Sequence, residues 1–173
     1  MYPEDLTDRI YEKILRRKEN VVLIGMPGSG KSAVGRILAG RTGWPLADTD
    51  QLVTEKAGKP IPDIFREDGE PAFRDLESRV IRDLAKTGGQ IISTGGGAVL
   101  RPENVTALRQ NGRLFWLDRD PGALVPTDDR PLADTEEKMK QLYLAREPVY
   151  RAAADEIIPV SGTPEDTAAR ILP

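Results

Sequence analysis

The residues best suited to chemistry sit near the start of the chain. Gly25-Met26-Pro27-Gly28-Ser29-Gly30-Lys31-Ser32 fits the pattern G-x-x-x-x-G-K-[ST]. Its glycines let the backbone curl until successive N–H groups converge on phosphate oxygens. A helix opening at Lys31 adds the positive end of its dipole. The lysine brings a full charge to the β- and γ-phosphates, and the serine hydroxyl is placed for Mg²⁺. Gly28, Ser29, Gly30, Lys31, Ser32 and Ala33 are therefore read as the nucleotide contacts, with ATP as the ligand. The flanks agree: an apolar run, Val21-Val22-Leu23-Ile24, precedes the loop, and Val34, Ile37 and Leu38 give the following segment an apolar face. A glycine-rich turn without a ligand is the plainer reading, and both flanks argue against it.

Asp48-Thr49-Asp50 is the next candidate. On an extended segment, carboxylates two residues apart point to the same side. At the carboxyl ends of parallel strands they would face the ligand crevice. One would organise Mg²⁺ and its waters, and the other would accept a proton from a substrate hydroxyl. A solvated turn or a helix N-cap is the alternative; the phosphate loop upstream favours the site. The chain has no histidine and no cysteine, so acid–base work falls to Asp, Glu, Lys, Arg or backbone groups, and thiolate metal sites and disulfides are excluded.

The elements that must position these groups follow from the hydrophobic pattern. In the 173 residues, Leu6, Ile10 and Ile14 mark a narrow apolar stripe on a helical lead-in over residues 1–20. Residues 21–173 read as one kinase domain. Strands are expected at Val21–Ile24, ending near Asp48, at Gln90–Ser93, Arg113–Leu117 and Glu156–Val160. Helices are expected from Lys31 to about Arg41, over 51–87 with breaks near Gly58 and Gly69, at Asn104–Gln110, from Thr135 to Ala153, and from Pro164. Residues 118–134, rich in Pro, Gly and Asp, read as a loop. Alternation of this kind implies an α/β fold with a five-stranded parallel sheet. Phe115 and Tyr143 are assigned to the core. A net charge of −3 disfavours nucleic acid, and no apolar run approaches the roughly 18 residues of a membrane span. A soluble, cytoplasmic, monomeric protein is expected.

The phosphate loop, Asp48-Thr49-Asp50, Ile64-Phe65, Gly69-Glu70-x-x-Phe73-Arg74-x-x-Glu77, Gly95-Gly96-Gly97, Arg130-Pro131-Leu132 and Arg146-x-x-x-Tyr150 occur in that order. This series resembles the shikimate kinase family over roughly residues 21–155. The resemblance implies a three-layer, nucleoside monophosphate kinase-like fold and ATP-dependent phosphorylation of the 3-hydroxyl of shikimate, in chorismate and aromatic amino acid biosynthesis. It implies that Asp50 holds the substrate hydroxyls and is the candidate base, and that Asp48 lies near Mg²⁺ with Ser32. Arg74 and Arg146 would bind the substrate carboxylate, for which a planar guanidinium fork is suited. Gly95, Gly96 and Gly97 would let the backbone approach the ring. Arg130, on a lid over about 119–134, would reach the transferring phosphoryl. Ser93, at a strand end that often carries an acid beside Mg²⁺, would act only through a bound water. Taken singly, Arg74 pairs as well with Glu77 on a helix surface, Arg146 is one of several helix arginines, Gly95–Gly97 is a plain strand exit, and Arg130 pairs with Asp128 or Asp129.

Two departures stand out. Residues 120–129 are acidic and hold no Lys or Arg, with Arg119 just ahead, so the lid is expected to hold nucleotide more weakly. A helix also precedes the first strand, where the family domain usually begins. The rival readings are a gluconate-type kinase and a nucleotide-binding regulatory module with weak catalysis.

Overall fold

The computed structural model describes residues 8–10, 12, 14, 17–124 and 134–172. Strand β1, Asn20–Ile24, lies at the centre of a five-stranded parallel sheet, and all of its residues are buried. The other strands are β2 (Leu46–Asp48), β3 (Ile91–Ser93), β4 (Gly112–Asp118) and β5 (Glu156–Pro159), in the spatial order β2-β3-β1-β4-β5. A strand covered on both faces needs a continuous apolar run rather than alternation, which explains why the first strand is so plain in the sequence. Leu23 pairs with Ser93 of β3 on one side and Phe115 of β4 on the other. The phosphate loop and the glycine turn after β3 therefore leave the sheet side by side.

Successive residues of β1 feed opposite layers. Val21 and Leu23 pack with Val34 and Leu38 of α1 (Lys31–Thr42), and with Ala168 and Ile171 of α7 (Pro164–Ile171). Val22 and Ile24 pack with Ile81 of α4 (Glu70–Leu84), Leu108 of α5 (Pro102–Gln110), and Met139 and Tyr150 of α6 (Glu136–Ala153). A smaller cluster of Val53, Ile64, Phe73 and Val80 joins α2 (Thr49–Ala57) and α3 (Ile61–Glu67) to α4. The expected breaks fall where they should. Gly58 and Gly69 have φ of 69° and 85°, which an L side chain adopts only with strain, and each lies at a helix boundary.

Residues 8–10, 12, 14 and 17 are helical, and Ile14 is fully buried in the layer of α1 and α7. Ile10 packs against the same cluster, as its spacing anticipates; Leu6 lies outside the described residues. Phe115 is in the core layer of α1 and α7, and Tyr143 packs half-buried against the other layer, with Trp116 and Tyr150, while its hydroxyl donates to Asp118 at 2.9 Å. Pro121–Ala123 forms a short 3₁₀ turn inside the segment expected to be loop. No described helix is long and apolar enough to cross a membrane.

Candidate active site

Helix N-termini in this molecule are satisfied in different ways. Helix α2 is capped by the Asp48 carboxylate, and α7 by a reciprocal Thr163–Asp166 box. Helix α1 has neither a capping side chain nor an acid in its first turn, because its N-cap is Gly30. The positive end of its dipole is therefore not offset by an acid of its own first turn, an arrangement that suits an anion. Lys31 arches over the loop, and its Nζ donates to the carbonyl oxygens of Gly25 at 2.8 Å and Met26 at 2.7 Å. Ser29 differs from its neighbours. Its N–H closes a turn onto Met26 O at 3.1 Å and its side chain is fully buried, so Gly28, Gly30, Lys31, Ser32 and Ala33 line the crevice while Ser29 braces it from within.

Of the two acids, Asp48 takes the capping alternative and meets Ser32 as well. Asp48 Oδ1 accepts from the N–H groups of Asp50 and Gln51, the capping alternative, while Oδ2 accepts from Ser32 Oγ at 3.2 Å. The placement of Asp50 on an extended segment is corrected. Asp50 lies in the first turn of α2, because Asp48 ends β2 and caps the helix at once. Both carboxylates still line the crevice. A hydroxyl beside a carboxylate is a hard-oxygen donor set that suits Mg²⁺, which takes one or two protein oxygens and keeps several waters.

The glycine turn does something the sequence does not reveal. A β-carbon built on Gly95 would stand 2.5 Å from Asp50 Oδ1 and 2.9 Å from Glu77 Oε2. One on Gly96 would stand 3.0 Å from Arg146 Nη1, and one on Gly97 would stand 2.5 Å from Arg74 Nη1. The expectation that these glycines admit the substrate ring is therefore supplemented: they make room for the site's own charged groups. Both arginines are buried, Arg74 at 8% and Arg146 at 4% exposure. Neither is the solvated helix arginine of the plainer reading. Arg74 donates to Glu77 Oε1 at 2.8 Å, so the anticipated helix pair exists, but inside the crevice, since Glu77 is fully buried. Burial pushes the Glu77 carboxyl above its usual range, and the Arg74 guanidinium partly offsets this.

One crevice of about 520 Å³ thus joins Lys31, Ser32, Asp48, Asp50, Arg74, Gly95–Gly97 and Arg146; Ser93 lines it too. Arg130, with the rest of residues 125–133, lies outside the described residues.

The family model described as shikimate kinase matches residues 27–173, which holds every one of these groups. The chain belongs to the shikimate kinase family. The shikimate kinase of Symbiobacterium thermophilum is 46% identical over 144 residues, covering 78% of this chain and 83% of that protein. The shikimate kinase of Dehalococcoides mccartyi is 42% identical over 147 residues, covering 82% and 84%. A solved shikimate kinase from Acinetobacter baumannii, in complex with shikimate, superposes with a TM-score of 0.84 at 34% identity, covering 88% of this chain and 90% of that one. The phosphate-loop fold with its five-stranded parallel sheet is that of the shikimate kinase family.

Sequence reasoning left three site residues without a role. Thr49 is fully buried, and its hydroxyl accepts from the Gly95 N–H at 2.9 Å, tying the acid motif to the glycine turn. Glu77 anchors Arg74. Tyr150 donates to Gly96 O at 2.5 Å. All three lie inside motifs already singled out, so the signal was present; only the partner across the crevice was hidden. Arg36 and Leu142, which also line the crevice, carried no such signal, whereas Phe65 lies in the Ile64-Phe65 motif.

Proposed function

We propose that this crevice transfers the γ-phosphoryl group of ATP to the 3-hydroxyl of shikimate, giving ADP and shikimate 3-phosphate, with Mg²⁺. The observation that carries this reading is the pair of buried guanidinium groups meeting at Gly96–Gly97 in the same crevice as the phosphate loop. Arg74 is paired with Glu77 and with Glu70 of its own helix, and Arg146 brings a second buried positive charge to the same crevice, which suits a ligand that carries its own negative charge. A shikimate carboxylate on Arg74 and Arg146 would place the ring over the glycine turn, with its hydroxyls toward Asp50.

The protein's part is then positioning and charge neutralisation. Asp50 takes the proton of the 3-hydroxyl as that oxygen bonds to the γ-phosphorus and the bond to the β–γ bridging oxygen breaks. Lys31 and the α1 N–H groups offset charge on the phosphates. Ser32 and Asp48 would hold Mg²⁺, which supplies charge neutralisation between the phosphates. Arg130 is assigned to the migrating phosphoryl group from its motif alone.

The test is a steady-state assay of ADP release. With Mg²⁺-ATP, turnover should require shikimate and should be absent with gluconate. Turnover on gluconate alone would move the chain to the sugar-acid rival, and tight ATP binding with no acceptor would favour a regulatory module. Within the same assay, Arg74→Lys keeps the charge beside Glu77 but loses the fork. The KM for shikimate should rise about tenfold, with the KM for ATP unchanged. An unaltered shikimate KM would remove Arg74 from the carboxylate site.

A further inference from the structure

Tyr150 has no place in the chemistry above, yet it lies where the two halves of the crevice meet. It stands one helical turn after Arg146 on α6, so the two side chains share a face. Its ring is fully buried and stacks on Trp116 of β4, with centroids 5.7 Å apart. Its hydroxyl donates to the carbonyl oxygen of Gly96 at 2.5 Å and lies 3.8 Å from the sulfur of Met26 in the phosphate loop. The Arg146 guanidinium lies against the same phenol oxygen. On its other side, Gly96 abuts Pro27 of the phosphate loop and Arg146 Nη1, since an added β-carbon there would stand 2.7 Å and 3.0 Å from them.

One oxygen atom thus touches the nucleotide loop, the middle of the glycine turn and one of the arginines assigned to the substrate. A hydroxyl can do this because it donates one hydrogen bond while accepting others. It keeps its proton across the working range, since burial pushes the Tyr150 phenol up to about 12. Removing only that oxygen would leave the Gly96 carbonyl and the Arg146 guanidinium each short of a partner, while the ring still fills its place against Trp116.

We propose that Tyr150 is a positioning residue: its hydroxyl locks Arg146 and Gly96 in register with the phosphate loop, and so fixes the acceptor's carboxylate relative to the phosphoryl donor. The proposal rests on the functional reading above, because it assigns Arg146 to the substrate. A merely structural tyrosine would alter stability without discriminating between the two substrates. A positioning tyrosine changes the acceptor side and leaves the nucleotide side alone, because Lys31 and the α1 N–H groups do not depend on it.

The experiment is Tyr150→Phe, assayed with shikimate varied at saturating Mg²⁺-ATP and then the reverse, beside a thermal melt. The KM for shikimate should rise about tenfold and kcat should fall by a smaller factor, with the KM for ATP within twofold of wild type. In an Arg146→Lys background the same substitution should add much less than its own factor, since the hydroxyl acts through Arg146. An unchanged shikimate KM, an equal rise in both KM values, or full multiplicativity with Arg146→Lys would each overturn the proposal. A wild-type protein that shows no shikimate turnover would remove the functional reading, and the proposal with it. Normal wild-type turnover with an unaltered Tyr150→Phe variant removes the proposal alone.

Discussion

Lys31→Ala should lower kcat about a thousandfold, with the melting temperature little changed and shikimate binding retained. The side chain is only 8% exposed, and its Nζ donates to the carbonyl oxygens of Gly25 and Met26. The lysine side chain itself lines the crevice, so water entering the space it leaves can meet those carbonyls. What is lost is a full positive charge beside the site where charge builds up as the phosphoryl group leaves. Single donors aimed at developing charge are worth factors of roughly 10² to 10³, and a formal charge belongs at the upper end. Single-turnover measurements at saturating ATP separate this from weakened binding. A kcat within tenfold of wild type would mean that the loop binds nucleotide without carrying the chemistry.

Gly95→Ala should cost at least about a hundredfold in kcat/KM for shikimate while nucleotide affinity is preserved. The backbone at Gly95 is not in the left-handed region, so alanine brings no conformational strain there. The damage is purely spatial. The new methyl would stand 2.5 Å from Asp50 Oδ1 and 2.9 Å from Glu77 Oε2, far inside contact distance. Neither carboxylate can retreat cheaply. Asp50 is held in the first turn of a helix, and Glu77 is fully buried and bonded to Arg74. A displacement of about 1 Å in a reacting group is enough for a hundredfold loss. Equilibrium binding of an ATP analogue to the variant should match wild type. A variant with normal shikimate kinetics would show that the two carboxylates are free to rearrange.

The fold was legible because its signals are local. Val21–Ile24 reads as a buried strand from four residues alone, and Gly58 and Gly69 mark helix ends because their φ values exclude other side chains. The phosphate loop was legible for the same reason, since its ligands are mostly its own N–H groups. The rest of the site was legible only as an ordered set of motifs. Arg74 and Arg146 are separated by 72 positions, and nothing in either neighbourhood says that both are buried or that adjacent glycines receive them. Asp50 was misplaced on an extended segment because Asp48 ends a strand and caps a helix in one step, which a pattern of alternation does not register. Thr49 was passed over because a threonine between two acids draws no notice until its hydroxyl is seen to hold the Gly95 N–H.

The sheet order has a bearing on how the chain comes off the ribosome. The central strand is made first, but its two neighbours are residues 91–93 and 112–118. Until residues 112–118 have been synthesised, Asn20–Ile24 has an open edge on at least one flank, and its apolar side chains have no complete layer to enter. Such edges invite pairing with other nascent chains. The cup at the end of β1 therefore takes shape only once β4 is available, and a message truncated before the codon for Gly112 should yield a product destined for aggregation or proteolysis rather than a partly working enzyme.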